Sequence, residues 1–195
     1  MASYVVGIAG PACSGKSTVC SRIAAKDRRV MHVGMENFYK STDATPLYRG
    51  FRNLDSPSSI DFGSLLGTLR DLKDGRNVAI PVYSKNESRA ISVEEVSPKP
   101  IILVEGFVLF AEEQIRDILD LKLFIDVDKD TQASRKFGRR DGNDLNREYF
   151  ENVLLPMEER YVRPTKAYAD LVIDGSLSLH HVEHEIMQAL ESVKR

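Results

Sequence analysis

The stretch GPACSGKST, which covers residues 10–18, contains two glycines, one lysine and three hydroxyl side chains. It follows the apolar run SYVVGIA and precedes TVCSRIAAK, a stretch with the composition of a helix. These flanks predict a strand, a tight turn and the start of a helix. The stretch also matches the pattern G-x-x-x-x-G-K-[ST] at Gly10, Gly15, Lys16 and Ser17, which is typical of phosphate-binding loops.

Each residue type in this loop has a physical role in holding phosphate groups. Glycines allow a close approach that side chains would prevent, so that successive amide N–H groups can point at phosphate oxygens. The ammonium group of Lys16 can reach the outer phosphates, and the hydroxyl of Ser17 can bind Mg²⁺. The helix that begins near Lys16 adds the positive end of its dipole. The predicted nucleotide-binding residues are Gly10, Ala12, Cys13, Ser14, Gly15, Lys16, Ser17 and Thr18.

The composition indicates an ordinary globular protein. With 195 residues, of which 42% are hydrophobic, the chain is expected to form one domain, 1–195, with a sizeable core. The formal charge of -2 provides no net basic field of the kind on which nucleic-acid binding depends. No apolar run approaches the roughly 20 residues of a membrane span, and MASYVVGIAG lacks the features of a secretory signal. We therefore expect a cytoplasmic protein that binds neither nucleic acid nor a membrane.

Strand-like and helix-like segments alternate along the chain. Short apolar runs that suit strands buried on both faces occur at residues 3–9, 29–34, 100–106, 121–127 and 169–175. Helical periodicity occurs between them, over residues 62–72, and again over residues 182–193. This alternation predicts an α/β fold with a parallel sheet.

Two segments depart from this simple alternation. Residues 77–99 contain β-branched residues and several prolines but no helical period, which leaves a small hairpin and a surface loop as open interpretations. Residues 133–147 are a predicted lid, built on a short helix and its exit. The basic side chains of this segment are Arg135, Lys136, Arg139 and Arg140. Such a cluster can fold over bound phosphates, although a basic run is more often a solvated helix face.

Two acidic residues follow predicted strands, where ligand crevices form in parallel sheets. Glu36 follows the second strand, and its carboxylate can accept the proton of an acceptor hydroxyl or simply cap a loop. Glu105 ends the third strand, and a carboxylate that emerges from an apolar strand is stabilised by a cation such as Mg²⁺. The sequence contains no Asn-Lys-x-Asp run, the pattern with which GTP hydrolases read guanine. A kinase is therefore favoured over a GTP hydrolase.

Taken together, these stretches resemble the uridine kinase family, within the larger group of uridine kinases and phosphoribulokinases. Beyond the loop, ENFYK is similar to the family's Asp-Ser-Phe-Tyr-Lys segment. NLDSPSSIDFGSLLGTLRDLKDGRNVAIPVYS resembles the family's region from Asp-His-Pro-Asp-Ala-Phe-Asp to Pro-Val-Tyr-Asp. VEGFVLF, LFIDVDKDTQASRKFGRRD and RPTKAYADLVIDG follow the remaining landmarks in order, so that the resemblance covers nearly the whole chain.

The resemblance implies a P-loop core of five parallel strands with helices on both faces. It also implies Mg²⁺-dependent transfer of phosphate from ATP to the 5′-hydroxyl of a ribonucleoside, with uridine or cytidine as the first expectation. Asp55 would bind the ribose hydroxyls, and Tyr39 and Tyr83 would line the nucleoside pocket. The remaining implied roles are catalysis by Glu36, Lys16 and Arg139, substrate contacts from Lys136, Arg139 and Arg140, and Mg²⁺ binding by Ser17 and Glu105.

Several departures from the family pattern leave the acceptor open. Glu36 stands where the family typically has Asp, and VYSKNESRA lacks the histidine that helps the family to read a pyrimidine base. VEGFVLF, the shorter lid and REYFENVLLPMEERY resemble nicotinamide riboside kinases, which act on the same ribose hydroxyl. The acceptor can also be another small alcohol, or the chain can be a nucleotide-binding protein that no longer catalyses. The resemblance to uridine kinases suggests a homo-oligomer, whereas the resemblance to nicotinamide riboside kinases does not require one.

Overall fold

The computed structural model describes residues 3–84, 86–138 and 144–192. Their strands are β1 (Tyr4–Ala9), β2 (Val30–Gly34), β3 (Leu47–Tyr48), β4 (Phe51–Arg52), β5 (Val78–Ser84), β6 (Arg89–Val96), β7 (Ile101–Glu105), β8 (Leu121–Asp126) and β9 (Leu171–Asp174). Their α-helices are α1 (Lys16–Lys26), α2 (Phe62–Lys73), α3 (Glu113–Ile118), α4 (Lys129–Phe137), α5 (Asp144–Tyr149), α6 (Leu155–Tyr161) and α7 (Leu179–Ser192). Among the residues so described, no helix combines the length and the apolar character needed to cross a membrane.

Five of these strands form one parallel sheet in the order β2-β7-β1-β8-β9. Each of them lies within a predicted strand, so the expected α/β fold is confirmed. The register pairs Glu105, the last residue of β7, with Ile8 on one side and with Gly34 on the other. Because the strands are parallel, the segments that follow β1, β2 and β7 leave the sheet at the same edge. The loop, Glu36 and Glu105 therefore lie at this edge of the sheet.

The sheet is buried on both faces along β1, β2, β7 and β8, whereas three of the four residues of the edge strand β9 are exposed. Val5 and Ala9 of β1 belong to one hydrophobic core, which also contains leucines of α2. Val6 and Ile8 belong to a second core, with apolar residues of α1 and α7. Burial on both faces explains why these strands are continuous apolar runs in the sequence. Helices cover both faces of the sheet, as the resemblance implied.

Residues 77–99 contain an antiparallel hairpin, which decides between the two interpretations of this segment. β5 pairs with β6, and a bulge lies between Val82 and Tyr83. The backbone N–H of Tyr83 donates a hydrogen bond to Asn37 Oδ1 at 3.4 Å. The hairpin is thereby joined to the turn that follows β2, next to the edge that collects the loop.

Helix α4, which begins at Lys129 and ends at Phe137, overlaps the first part of the predicted lid, residues 133–147. Asp128 precedes it, and the Asp128 carboxylate accepts a hydrogen bond from the backbone N–H of Thr131 at 2.7 Å. The start of α4 is therefore set by this N-terminal cap and not by the basic run. Lys136 lies in the last turn of α4, whereas Arg139 and Arg140 lie outside the described residues.

Candidate active site

The phosphate-binding loop leaves β1 with a backbone that depends on glycine at two positions. Gly10 has a φ of 143°, and a Cβ atom there would lie 2.2 Å from the carbonyl oxygen of Ile125. Gly15 has a φ of 96° and caps α1, and a Cβ atom there would meet nothing within 4 Å. Cys13, although not a glycine, also has a positive φ, 60°. Gly10 is thus required by packing against β8, whereas Gly15 is favoured by its backbone conformation alone.

Lys16 is buried inside this loop. Its Nζ atom donates hydrogen bonds to the carbonyl oxygens of Gly10 at 2.8 Å and Pro11 at 2.7 Å, and it lies 3.2 Å from Ser14 Oγ. Burial lowers the pKa of Lys16, although the negative charges of Glu105 and Glu158 oppose that shift. The loop is therefore wrapped around one ammonium group, with two carboxylates from distant parts of the chain acting on it.

Glu105 is buried at the end of β7. Burial alone raises the pKa of its carboxyl group, but the contact with His32, the charge of Lys16 and a hydrogen bond from Ser17 lower the pKa below its ordinary value overall. The distance between His32 Nε2 and Glu105 Oε1 is 3.4 Å. These interactions hold the carboxylate in its ionised form beside the hydroxyl of Ser17.

The oxygen atoms of Glu105 and Ser17 suit a magnesium ion. Within residues 3–84, 86–138 and 144–192, no cluster of three or more His, Cys, Asp or Glu side chains forms a metal site made of protein alone. Mg²⁺ commonly keeps several water ligands and is bound through one or two carboxylates together with substrate phosphates. One carboxylate and one hydroxyl at a phosphate-binding loop meet that requirement.

A cleft separates the loop from the turn that follows β2. Lys16, Ser17, Glu36, Tyr39 and Glu105 all line it. The side chain of Glu36 is exposed there, on the 3₁₀ turn Met35–Phe38. The lining residues also include, from the predicted nucleotide-binding set, Ala12, Cys13, Gly15 and Thr18. The structure thus brings together residues from three separate stretches of the chain.

The other two residues of the predicted nucleotide-binding set, Gly10 and Ser14, are not among the lining residues of this cleft. Both instead contact the Lys16 ammonium group, as acceptors for its N–H groups. Their position supports the shape of the loop. A direct contact with a nucleotide stays a prediction for all eight residues.

The two predicted pocket tyrosines contact each other. The ring centroids of Tyr39 and Tyr83 are 5.3 Å apart, at an interplanar angle of 48°. Tyr39 follows the turn after β2 and Tyr83 lies on β5, so the hairpin contributes one ring of this pair. Burial raises the pKa of Tyr39 well above its ordinary value, and the nearby Asp55, Tyr149 and Glu36 act in the same direction. These side chains are therefore close enough to interact electrostatically.

Asp55 is hydrogen-bonded to a tyrosine of α5. The hydroxyl of Tyr149 donates a hydrogen bond to Asp55 Oδ2 at 2.6 Å and accepts one from the backbone N–H of Leu54 at 3.1 Å. Burial raises the pKa of Asp55, while the hydrogen bond from Tyr149 and the charge of Lys136 oppose that shift. Lys136, the one predicted substrate contact of the lid that the structure describes, therefore acts on the same carboxylate.

Sequence reasoning missed several residues around this site. Tyr149 lies in the stretch REYFENVLLPMEERY, which carries part of the resemblance, but nothing in a helical period marks a hydroxyl that binds a distant carboxylate. Gln132 and Glu158 are buried and hydrogen-bonded to Ala12 of the loop. They sit in helices among other charged residues, so their sequence pattern is that of an exposed helix face.

Comparison with known proteins gives this arrangement a context. Residues 5–180 match the model of the phosphoribulokinase / uridine kinase family. The chain belongs to this family. The family resemblance that the loop, ENFYK and VEGFVLF carry is therefore confirmed.

Relatives in this family are similar along most of the chain. A uridine kinase from Schizosaccharomyces pombe is 35% identical over an alignment that covers 95% of this chain and 44% of that protein. Uridine kinase-like protein 3 from Arabidopsis thaliana is 32% identical over 87% of this chain and 39% of its own length. Uridine-cytidine kinase B from Dictyostelium discoideum is 32% identical over 87% of this chain and 74% of its own length. The chain thus spans about two-fifths of the length of the first two relatives.

Solved structures of the family share the fold. A structure described as a possible uridine kinase from Bacillus stearothermophilus matches with a TM-score of 0.68 and 20% identity, over 89% of this chain and 90% of that one. A phosphoribulokinase from Rhodobacter spheroides matches with a TM-score of 0.62 and 13% identity, over 90% of this chain and 73% of that one. At these identities the match concerns the fold of the family alone.

The contact between Tyr149 and Asp55 gives a first testable prediction. Replacing Tyr149→Phe removes the hydroxyl that donates to the carboxylate, so the pKa of Asp55 should rise further above its ordinary value. A carboxyl-carbon NMR titration of the wild-type and variant proteins measures this shift. Tyr168→Phe, at an exposed tyrosine, is the matched control and should leave the pKa of Asp55 unchanged. An Asp55 pKa that stays the same or falls in Tyr149→Phe would contradict this description of the site.

Proposed function

We propose that this protein is an ATP-dependent nucleoside kinase that transfers the γ-phosphoryl group to the 5′-hydroxyl of a ribonucleoside, with uridine or cytidine as the favoured acceptor. The observation that carries the proposal is one cleft. It is lined by the loop with its buried Lys16, by the carboxylates of Glu36 and Glu105, and by Tyr39. Its relatives support the choice of acceptor, since several of them are named as uridine or uridine-cytidine kinases.

The nucleotide phosphates are assigned to the loop of residues 10–18. Lys16 supplies positive charge to the outer phosphates, and the amide groups of the loop supply hydrogen bonds. Glu105 and Ser17 would hold Mg²⁺, which when bound neutralises part of the phosphate charge. Support for this assignment comes from the hydrogen-bonded, ionised carboxylate of Glu105 beside Ser17.

The acceptor is assigned to an acceptor wall that consists of Glu36 and Tyr39, which line the cleft, and of Tyr83 and Asp55, which lie near Tyr39. Asp55 would bind the ribose hydroxyls, and Tyr39 and Tyr83 would lie against the base. Glu36, exposed in the cleft, would take the proton of the 5′-hydroxyl as that oxygen attacks the γ-phosphoryl group. A glutamate in this position is one methylene longer than the family's aspartate, so the turn that carries it must place the carboxylate correctly.

The lid supplies further positive charge in this proposal. Lys136 would contact the substrate, as would Arg139 and Arg140, and Arg139 would also stabilise the transferred phosphoryl group. Closure of the lid would exclude water, which otherwise competes with the acceptor for ATP. The interaction of Lys136 with Asp55 supports this assignment, because it links the end of α4 to the acceptor wall.

A second acceptor, nicotinamide riboside, is favoured by a specific observation. The tilted rings of Tyr39 and Tyr83 contact each other, and Asp55 and Glu36 act electrostatically on Tyr39, so aromatic rings and negative charges lie near one another. A cationic base gains from both, through cation–π contact and charge attraction. This acceptor receives phosphate on the same ribose hydroxyl, so the proposed roles of the residues are unchanged.

The proposed setting of the enzyme follows from its substrates. The partner is a small nucleoside, with no role for nucleic acid or a membrane, and the place of action is the cytoplasm. The relation to uridine kinases favours a homo-oligomer, which light scattering after size-exclusion chromatography measures directly.

A panel of acceptors tests the proposed function. Purified protein is incubated with Mg²⁺ and ATP and with uridine, cytidine, nicotinamide riboside, other nucleosides or pantothenate, and the phosphorylated acceptor is quantified. Lys16→Ala should lower transfer by a hundredfold to a thousandfold, on the order of the loss when one group that stabilises the transition state is removed. Lys26→Ala, on the surface side of α1, is the matched control and should retain transfer.

The panel separates the candidate functions. Transfer to a nucleoside that Lys16→Ala loses supports the kinase, and the preferred acceptor distinguishes a pyrimidine nucleoside from nicotinamide riboside. Transfer to pantothenate alone would replace the nucleoside by another alcohol. Nucleotide binding without transfer to any acceptor would instead identify a nucleotide-binding protein that does not catalyse.

The role of Glu36 as the base is tested separately. Glu36→Gln keeps the size of the side chain but cannot accept the proton, so kcat should fall by roughly a hundredfold to ten-thousandfold while ATP binding is unchanged. Glu36→Asp retains a carboxylate and should keep measurably more activity than Glu36→Gln. Stopped assays for kcat and calorimetry for ATP binding provide the two readings. Wild-type transfer rates in Glu36→Gln would rule out this role.

A further inference from the structure

Two buried side chains, Gln132 and Glu158, form hydrogen bonds with the backbone groups of Ala12. The backbone N–H of Ala12 donates a hydrogen bond to Glu158 Oε2 at 3.3 Å. The carbonyl oxygen of Ala12 accepts one from Gln132 Nε2 at 2.9 Å, and the same nitrogen lies 2.8 Å from Glu158 Oε2. A loop residue, a helix α4 residue and a helix α6 residue thus form a closed ring of hydrogen bonds.

The amide group of Gln132 has one orientation that satisfies its neighbours. Arg163 donates to Gln132 Oε1 at 3.1 Å and forms an ion pair with Glu158 Oε1 at 2.9 Å. Rotating the amide by half a turn would place its NH₂ group against Arg163 and its oxygen against Glu158. Gln132 is fully buried and Glu158 is 3% exposed, so neither can exchange these partners for water.

Helix α4 holds the next residue of the loop as well. Arg135, one turn after Gln132, donates to the carbonyl oxygen of Cys13 at 3.2 Å and to that of Gly175 at 2.7 Å. Two successive loop carbonyls therefore point at α4. Because the carbonyl and the N–H of a trans peptide point in opposite directions, the Ala12 carbonyl contact with Gln132 turns the N–H of Cys13 away from α4. Cys13 lines the cleft, and its positive φ fits this restraint.

From this geometry we infer that Gln132 is a positioning residue for nucleotide phosphate, acting through the Ala12 peptide with Glu158 as its buried support. Gln132 is not one of the residues that line the cleft, but it contacts Ala12, which is, so its effect passes through the orientation of the loop amides. This inference rests on the proposed function, since it takes the loop as the nucleotide site. It adds that the affinity for phosphate depends on a side chain of the helix that carries the lid.

Binding of Mg·ADP, measured by isothermal titration calorimetry, tests the inference without any acceptor. Gln132→Leu removes the donor to the Ala12 carbonyl and one of the donors to Glu158. The Kd for Mg·ADP should rise roughly tenfold, the effect of a buried polar group without a partner. Gln132→Asn is too short to reach Ala12 and should also weaken binding. It serves as the second variant if Gln132→Leu fails to fold. The KM for the acceptor should stay within about twofold in both, because the acceptor wall is untouched.

Two control variants separate positioning from stability. Leu190→Ala, in the core under α7, should lower the melting temperature without changing the Kd for Mg·ADP. Ser134→Ala changes an exposed residue of α4 and should alter neither quantity. A purely structural role for Gln132 predicts that its variants behave as Leu190→Ala does.

Each outcome decides the inference. A higher Kd for Mg·ADP in the Gln132 variants, with an unchanged KM for the acceptor, supports it. An unchanged Kd in both variants, with or without a lower melting temperature, overturns it. If the wild type binds Mg·ADP but transfers phosphate to no acceptor, the proposed function fails and the comparison of Kd values still decides the role of Gln132. A wild type that binds no nucleotide would overturn both.

Discussion

The buried ammonium group of Lys16 is the constraint around which the site is organised. A charge removed from water is costly unless it is hydrogen-bonded and near opposite charge. Lys16 meets this condition with the carbonyls of Gly10 and Pro11 and with the charges of Glu105 and Glu158. The loop must therefore curl around the lysine. This shape in turn needs the positive φ angles at Gly10, Cys13 and Gly15.

The parallel sheet gives these requirements their geometry. Glu105 reaches the loop because β7 pairs directly with β1, and the turn that carries Glu36 lies nearby because β2 pairs with β7. Gln132 and Glu158 approach from the opposite side of the loop, on α4 and α6. In the candidate acceptor wall, Tyr39 lines the cleft and Asp55 lies close enough to Tyr39 to act on it electrostatically. One strand order thus places the loop, Glu105 and Glu36 along one edge of the sheet.

The parts of this arrangement that depend on local sequence could be predicted. Four of the five sheet strands were recognisable because burial on both faces makes each a continuous apolar run. The loop was recognisable because its glycines, lysine and serine are close in the chain. The basic run marked the last part of α4 but not its start, because the cap at Asp128 lies before that run. Tyr149, Gln132 and Glu158 could not be found, because their partners lie far away in the sequence and are set by tertiary packing.

A crystal structure of the protein with Mg·ADP and uridine tests the central claim most directly, because it locates both substrates relative to Lys16. The account predicts that the phosphates lie on the backbone of residues 10–18, that the ribose hydroxyls contact Asp55, and that the 5′-hydroxyl faces Glu36. Uridine bound away from Asp55, or phosphates bound away from the loop, would contradict it.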